Sequence, residues 1–242
     1  MKELRGQGML KTRVVTIDGP AGAGKSTVAR QLARRLGWRL LDTGAMYRAV
    51  TLAALRRGVD LLSDEALGEL AEGVEVRLPL DSVLLDQEDV TETIRSIEVT
   101  RATRHAADSP RVRRVLVSWQ RDFASAEGDV VTEGRDQGTI VFPDAFRKFY
   151  LTASDEERAR RRHAEFAARG VVLAFDTVLK EMLERDAQDA SRAIAPMKPA
   201  QDARIVDSSG LEFEQVVSLI REYILGPAKA TEARPMQDRR PR

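Results

Sequence analysis

The run Gly19-Pro20-Ala21-Gly22-Ala23-Gly24-Lys25-Ser26, followed by Thr27, has the G-x-x-x-x-G-K-[ST] spacing that wraps a polyphosphate in backbone N–H groups. Its glycines let the chain turn its amides inward, and a helix starting there adds partial positive charge. Lys25 is placed to reach the β- and γ-phosphates, and the Ser26 hydroxyl can complete a Mg²⁺ shell. The chemistry implied is binding of a nucleoside triphosphate with its metal. The loop is silent about what receives the phosphate.

Arginines point to a second anion. Glu133-Gly134-Arg135-Asp136 follows an apolar strand, which sets Arg135 beside the phosphate loop at a switch point of a parallel sheet. Asp42-Thr43-Gly44-Ala45-Met46-Tyr47-Arg48 follows another strand, with Thr43 read as a helix N-cap and Arg48 one turn in. Arg185, Asp189 and Arg192 lie at i, i+4 and i+7, so one helical face can carry two cations flanking a carboxylate. Each has an ordinary alternative, Arg185–Asp189 as a plain i,i+4 pair for instance. Together with the loop they favour a site that neutralises two phosphate ligands at once. No Asn-Lys-x-Asp stretch is present to read guanine, which argues against a GTPase. An Arg where motor ATPases keep a water-handling carboxylate argues against those. His105 and His163 are isolated and lack metal-ligand spacing, and the absence of Cys removes disulfides and thiolate chemistry.

Positioning these residues requires alternating strands and helices. Residues 13–18 read as a β-branched strand, 27–36 as a helix ended by Gly37, 38–41 as a strand and 45–57 as a helix stopped by Gly58. From 59 to about 100 the short alternating runs around Pro79 and Asp81 read as a small β-rich insert. Pro110 opens a helix whose buried stripe is Val112, Val115, Leu116, Trp119 and Phe123. Strands follow at 129–132 and 147–151. Ser154-Asp155-Glu156-Glu157 reads as a capping box starting a charged helix that ends at Gly170. A helix at 175–187, a strand at 203–207 and a helix at 213–225 complete an α/β pattern.

Of 242 residues, 43% are hydrophobic and 32% charged, enough apolar material for a sizeable core in one large or two small domains. A net charge of +1 gives no support to a nucleic-acid partner. No targeting segment and no apolar run near the ~20 residues of a membrane span are apparent. The expectation is a cytoplasmic protein without membrane association, and a monomer. Segments 1–12 and 226–242 are read as tails, the second Pro- and charge-rich and disordered by composition.

From about Val14 to Val217 the chain resembles the bacterial cytidylate kinases, within the nucleoside monophosphate kinases. The resemblance is carried by residues 17–27, by Leu41 through Arg48, by Glu133 through Asp136 with Gly138-Thr139-Ile140-Val141-Phe142-Pro143, and by Arg185-Asp186 through Arg192-Ala193-Ile194-Ala195-Pro196. It implies one P-loop kinase domain at 13–225, a parallel β-sheet flanked by helices. A small monophosphate-binding insert (about 60–100) and a short helical lid (about 154–170) would close over it. It implies transfer of the γ-phosphoryl group of ATP to CMP or dCMP, in pyrimidine nucleotide metabolism. Lys25, Arg135 and Arg192 would supply the catalytic charges, and Arg48, Arg135 and Arg192 would hold the CMP phosphate. Thr43, where the family often has Ser, would keep a hydroxyl contact to the substrate. Asp189 with Arg185 would hold the ribose, and Arg113 with Asp136 would read the cytosine edge. Arg158, Arg161 and Arg162 in the lid would reach the ATP phosphates; the competing reading is a solvated helix laced by Glu156–Arg160 and Glu157–Arg161 pairs. Two further departures from the family pattern stand beside Thr43: Arg104 occupies a place where a serine touching the base is expected, and the insert looks short. The alternatives are a kinase for UMP or a shikimate-like acceptor, and a nucleotide-switch ATPase. A switch ATPase has no need of Arg48, Arg135 and Arg192 converging.

Overall fold

The computed structural model describes residues 12–226. The first half runs β1 (Val14–Asp18), α1 (Lys25–Leu36), β2 (Arg39–Asp42), α2 (Thr43–Arg56) and α3 (Asp64–Gly73). Three two-residue strands follow, β3 (Val76–Arg77), β4 (Leu84–Leu85) and β5 (Glu88–Asp89), then α4 (Ile97–Asp108) and α5 (Pro110–Glu127). The rest is β6 (Val130–Gly134), a π-helical turn (Gln137–Val141), β7 (Arg147–Thr152), α6 (Asp155–Ala168), α7 (Phe175–Ser191), β8 (Arg204–Asp207) and α8 (Phe213–Leu225).

Five strands form one parallel sheet in the order β2-β6-β1-β7-β8. Every residue of β1 and β6 is buried, as befits central strands covered on both faces. The two-residue side-chain period divides them. Val14, Leu41 and Val130 pack with α2 and α5, while Val15, Ile17, Val131 and Phe149 pack with α1 and α8. At the carboxyl ends, Asp18 pairs with Gly134 and Asp42 with Glu133, so the segments leaving β1, β2 and β6 emerge side by side.

Several boundaries differ from the sequence expectation. The first helix begins at Lys25 rather than residue 27, because Gly24 takes a left-handed φ of 86° and turns the loop directly into it. At the second, the cap is Asp42, whose carboxylate accepts from the Ala45 amide at 2.8 Å, and Thr43 lies inside the helix. The insert is β-rich only over 76–89. Ahead of that small antiparallel sheet lies the unexpected α3, capped by Ser63 with Asp64 and Glu65 in its first turn. The insert's end at about 100 falls inside α4. The capping box at Ser154 is half formed: Ser154 Oγ accepts from the Glu157 amide at 3.3 Å, but the Ser154 amide donates to Ser209 Oγ. Glu157 turns instead to Arg160 and Arg161; no Glu156–Arg160 pair forms among the described residues. The seventh helix continues four residues beyond 187, to Ser191.

The tails read at 1–12 and 226–242 lie outside the described residues, apart from Thr12 and Gly226. Among the described residues no helix is long and apolar enough to cross a membrane.

Candidate active site

A cleft of about 980 Å³ opens over the carboxyl ends of β1, β2 and β6, at the top of the ~300–1,000 Å³ range of ligand pockets. One wall is the phosphate loop. Gly19 begins it, where a Cβ would stand 2.0 Å from the Leu151 carbonyl oxygen, so no other residue lets the loop leave β1 so close to β7. Lys25, the first residue of α1, is buried and donates from Nζ to the Pro20 carbonyl at 2.7 Å. Burial, reinforced by the Arg135 cation, lowers its ammonium pKa to about 7, although Glu133, Asp186 and Asp18 oppose the shift. Ser26 Oγ donates to Glu133 Oε1 at 2.9 Å.

Glu133, next to last in β6, lies opposite Asp42, the last residue of β2, as a pair of buried carboxyls. Burial, with Asp42 close by, raises the pKa of Glu133. Burial acts on Asp42 in the same sense, but Arg48 and the Ala45 amide outweigh it and hold that carboxyl below its usual range. A hydroxyl and two carboxyls form a hard-oxygen donor set of the kind Mg²⁺ takes.

Facing the loop, Arg135 and Arg192 grip the two oxygens of one buried carboxylate. Arg135 Nε lies 2.9 Å from Asp189 Oδ2, and Arg192 Nη2 lies 2.7 Å from Asp189 Oδ1. Burial would raise the Asp189 pKa, but Arg135, Arg192 and Arg185 hold it below the ordinary value. Asp189 does not pair with Arg185, which makes no ion pair among the described residues; burial and the Arg135 charge lower its pKa to about 10. Arg48 stands across the cleft, 3.6 Å from Asp42, with its Nε buried and unpartnered. Such an N–H lacks ~1–3 kcal/mol of bonding. A phosphate oxygen is the partner a guanidinium fork fits best.

Deeper in, Arg113 and Asp136 form a buried ion pair, and Arg113 Nη1 donates to the Tyr47 hydroxyl at 3.3 Å. Burial pushes the Tyr47 phenol up to about 12. Thr43 Oγ1 donates to the Glu133 carbonyl at 2.7 Å, pinning α2 to β6. Asp18 accepts from the Gln137 and Gly138 amides at 2.9 and 2.7 Å, which ties the segment after Arg135 and Asp136 to the strand that begins the loop. Burial lifts the Asp18 carboxyl to about 6 against these two bonds.

The cleft thus gathers the loop from Ala21 onward with Thr43, Arg48, Arg113, Arg135, Asp136, Arg161, Arg162, Arg185, Asp189 and Arg192. Arg161 is bound to Glu157 and to Ser208, and Arg162 to Glu165, both at the rim. Arg158 does not line the cleft; it lies buried behind the loop. Arg104 is exposed beside His105 and lines a second, more apolar cavity of about 560 Å³ between α4, α6 and α7. Tyr47, Arg95 and Glu133 line the cleft without having been singled out by pattern, although Tyr47 and Glu133 sit inside the quoted motifs. Arg95, from the insert, has a buried Nε with no partner, as Arg48 does. No histidine lines the cleft.

The chain is similar to known proteins along nearly its whole described length. Residues 15–225 match a family model described as cytidylate kinase. A cytidylate kinase of Pelotomaculum thermopropionicum is 53% identical over 211 residues, spanning 85% of this chain and 93% of that protein. One of Vibrio cholerae is 48% identical over 217 residues (88% and 96%), and one of Aeromonas salmonicida 46% identical over 225 residues (90% and 97%).

Proposed function

We infer the roles of the cleft's two anion sites from the premise that the chain belongs to the cytidylate kinase family. It is an ATP-dependent kinase that phosphorylates CMP or dCMP. The phosphate loop takes ATP, and the opposite site takes the monophosphate. The observation that carries this assignment is Asp189 held between Arg135 and Arg192 in the same cleft that Lys25 lines. Arg48, Arg135 and Arg192 hold the CMP phosphate, Arg185 and Asp189 the ribose, and Arg113 with Asp136 the cytosine edge. Thr43 sets the helix that presents Arg48. Ser26, with Glu133 and Asp42 behind it, would hold Mg²⁺, which when bound neutralises charge on the β- and γ-phosphate oxygens.

The acceptor is itself a phosphate, whose second pKa near ~6 leaves it mostly dianionic at pH 7. No general base is required, in keeping with a cleft that histidine does not line. Catalysis is then positioning and charge stabilisation: Lys25 on the donor, Arg135 and Arg192 on the acceptor and on the transferring group. The lid residues Arg161 and Arg162 complete the donor side and help exclude water, which otherwise competes as acceptor. We place the enzyme in the cytoplasm, acting as a monomer on free nucleotides in pyrimidine nucleotide metabolism.

A panel of nucleoside monophosphates assayed with Mg-ATP for diphosphate product tests this reading. CMP and dCMP should lead UMP by about tenfold or more in kcat/KM, since uracil turns cytosine's N3 acceptor into a donor and its position-4 donor into an acceptor. Asp136 would then face a carbonyl, and an unpaired buried polar group costs ~1–3 kcal/mol. Comparable values for UMP and CMP would remove Arg113 and Asp136 from base reading. No diphosphate from any monophosphate would overturn the whole assignment.

A further inference from the structure

Behind the phosphate loop lies a charged pair, Arg158 and Asp186, that does not itself line the cleft but holds the loop from outside. The Ala21 amide donates to Asp186 Oδ1 at 3.0 Å, and the Ala21 carbonyl accepts from Arg158 Nη1 at 2.9 Å. Arg158 and Asp186 are themselves ion-paired, and both are buried. The other nitrogens of the Arg158 fork are engaged as well, Nε on the Ala153 carbonyl at 3.2 Å and Nη2 on Asp155. Next door, Gly22 has a φ of 74°, and a Cβ there would stand 2.7 Å from the Arg158 carbonyl oxygen. The loop therefore rests on the backbone of α6, with one residue gripped on both its polar groups.

The two gripping residues come from different helices. Arg158 is on α6, one turn before Arg161 and Arg162. Asp186 is on α7, three residues before Asp189, and residues so spaced share a helix face. One turn of α7 thus separates the carboxylate that holds the loop from the carboxylate that holds Arg135 and Arg192.

We propose that Arg158 and Asp186 are positioning residues that clamp Ala21 and couple the ATP site to the CMP site through α7. This corrects the expectation that Arg158 reaches the ATP phosphates: to do so it would abandon a buried ion pair, leaving Asp186 uncompensated. The proposal rests on the assignment of donor and acceptor sites above. It makes the two ligands reciprocal effectors, because setting the loop sets the acceptor arginines and the reverse.

Calorimetric titration of CMP, with and without a saturating non-hydrolysable ATP analogue, tests it. In the unmodified protein the analogue should tighten CMP binding by about fivefold or more, the lower end of ordinary couplings. In Arg158→Ala and in Asp186→Asn that factor should fall toward one while each ligand alone still binds. The double variant should be no worse than the worse single one. No coupling in the unmodified protein would overturn the clamp. So would an Asp186→Asn variant with full coupling and turnover beside an Arg158→Ala variant that has lost ATP, which makes Arg158 a direct phosphate ligand. Variants that lose only melting temperature, with coupling intact below it, would reduce the cluster to a structural role and also overturn the proposal. Failure of the kinase reading shows separately, as an unmodified protein that forms no diphosphate.

Discussion

Lys25→Ala should lose phosphoryl transfer, with kcat down by at least about 10²–10³-fold, the cost of removing one preorganised charge from a transition state. The fold should survive. Lys25 is buried, but its ammonium contacts the Pro20 carbonyl within its own loop and spans no packing layer. The result to check is kcat in a variant whose melting curve and circular dichroism match those of the unmodified protein; near-normal kcat there would remove Lys25 from the mechanism. A pH signature accompanies the effect. In the open cleft, burial and Arg135 bring the ammonium pKa down to about 7. A bound polyphosphate favours the charged form, so ATP binding above pH 7 must take up a proton. ATP affinity should therefore decline as pH rises through and beyond 7, and Lys25→Met should flatten that slope. The same slope in the variant would assign the proton elsewhere.

Arg135→Ala and Arg192→Ala should damage use of CMP far more than binding of ATP. On the proposed assignment each would remove a guanidinium fork from the acceptor phosphate, a charge-assisted interaction worth ~1.5–3 kcal/mol, or roughly 10- to 150-fold in KM for CMP. Each also leaves Asp189 with one fewer counter-charge, so its carboxyl should titrate closer to the ordinary range. Substitution by Lys keeps the charge but not the two-pronged geometry, and recovery should be partial. Separate titrations of ATP and CMP into each variant decide the point. Equal losses for both ligands would place the acceptor site elsewhere in the cleft.

The phosphate loop and the stretches around Arg48, Arg135 and Arg192 are legible in sequence because each carries its constraint locally. Glycines, a lysine and a hydroxyl at fixed spacing between a strand and a helix leave little freedom. What is not legible depends on partners far along the chain. Glu133 lies near the end of a strand like many others, and only the pairing of β6 with β1 and β2 brings it to Ser26 and Asp42. The π-helical turn after Asp136 is anchored by Asp18, more than a hundred residues earlier, and no local pattern announces it. Arg158 carries the same charge as Arg161 and Arg162, and spacing along α6 does not tell a buried arginine from two at the rim. Other misses had signals. Ser63 followed by Asp64 and Glu65 is a helix start, masked by the β-branched runs beyond it. Tyr47 stands one residue before Arg48, and an aromatic on a helix face reads as core until Arg113 is found on its hydroxyl.

Adjacent strands β1 and β6 hold Asp18 opposite Gly134 in one ladder, and the phosphate loop and Arg135 leave from those two positions. On the proposed assignment, the share of the donor-to-acceptor spacing that Arg135 sets is thus inherited from backbone pairing, which mutation of side chains barely touches. Recognition of the base would rest instead on side chains, Arg113 of α5 and Asp136 just beyond β6, with the Tyr47 hydroxyl of α2 on the same guanidinium. On that assignment the two properties would be separable under selection: a duplicated copy could drift at Arg113 and Asp136 toward another nucleobase while its phosphate chemistry stayed calibrated. Such a copy would be an active kinase from its first generation, and new substrate ranges would arise without a passage through dead intermediates.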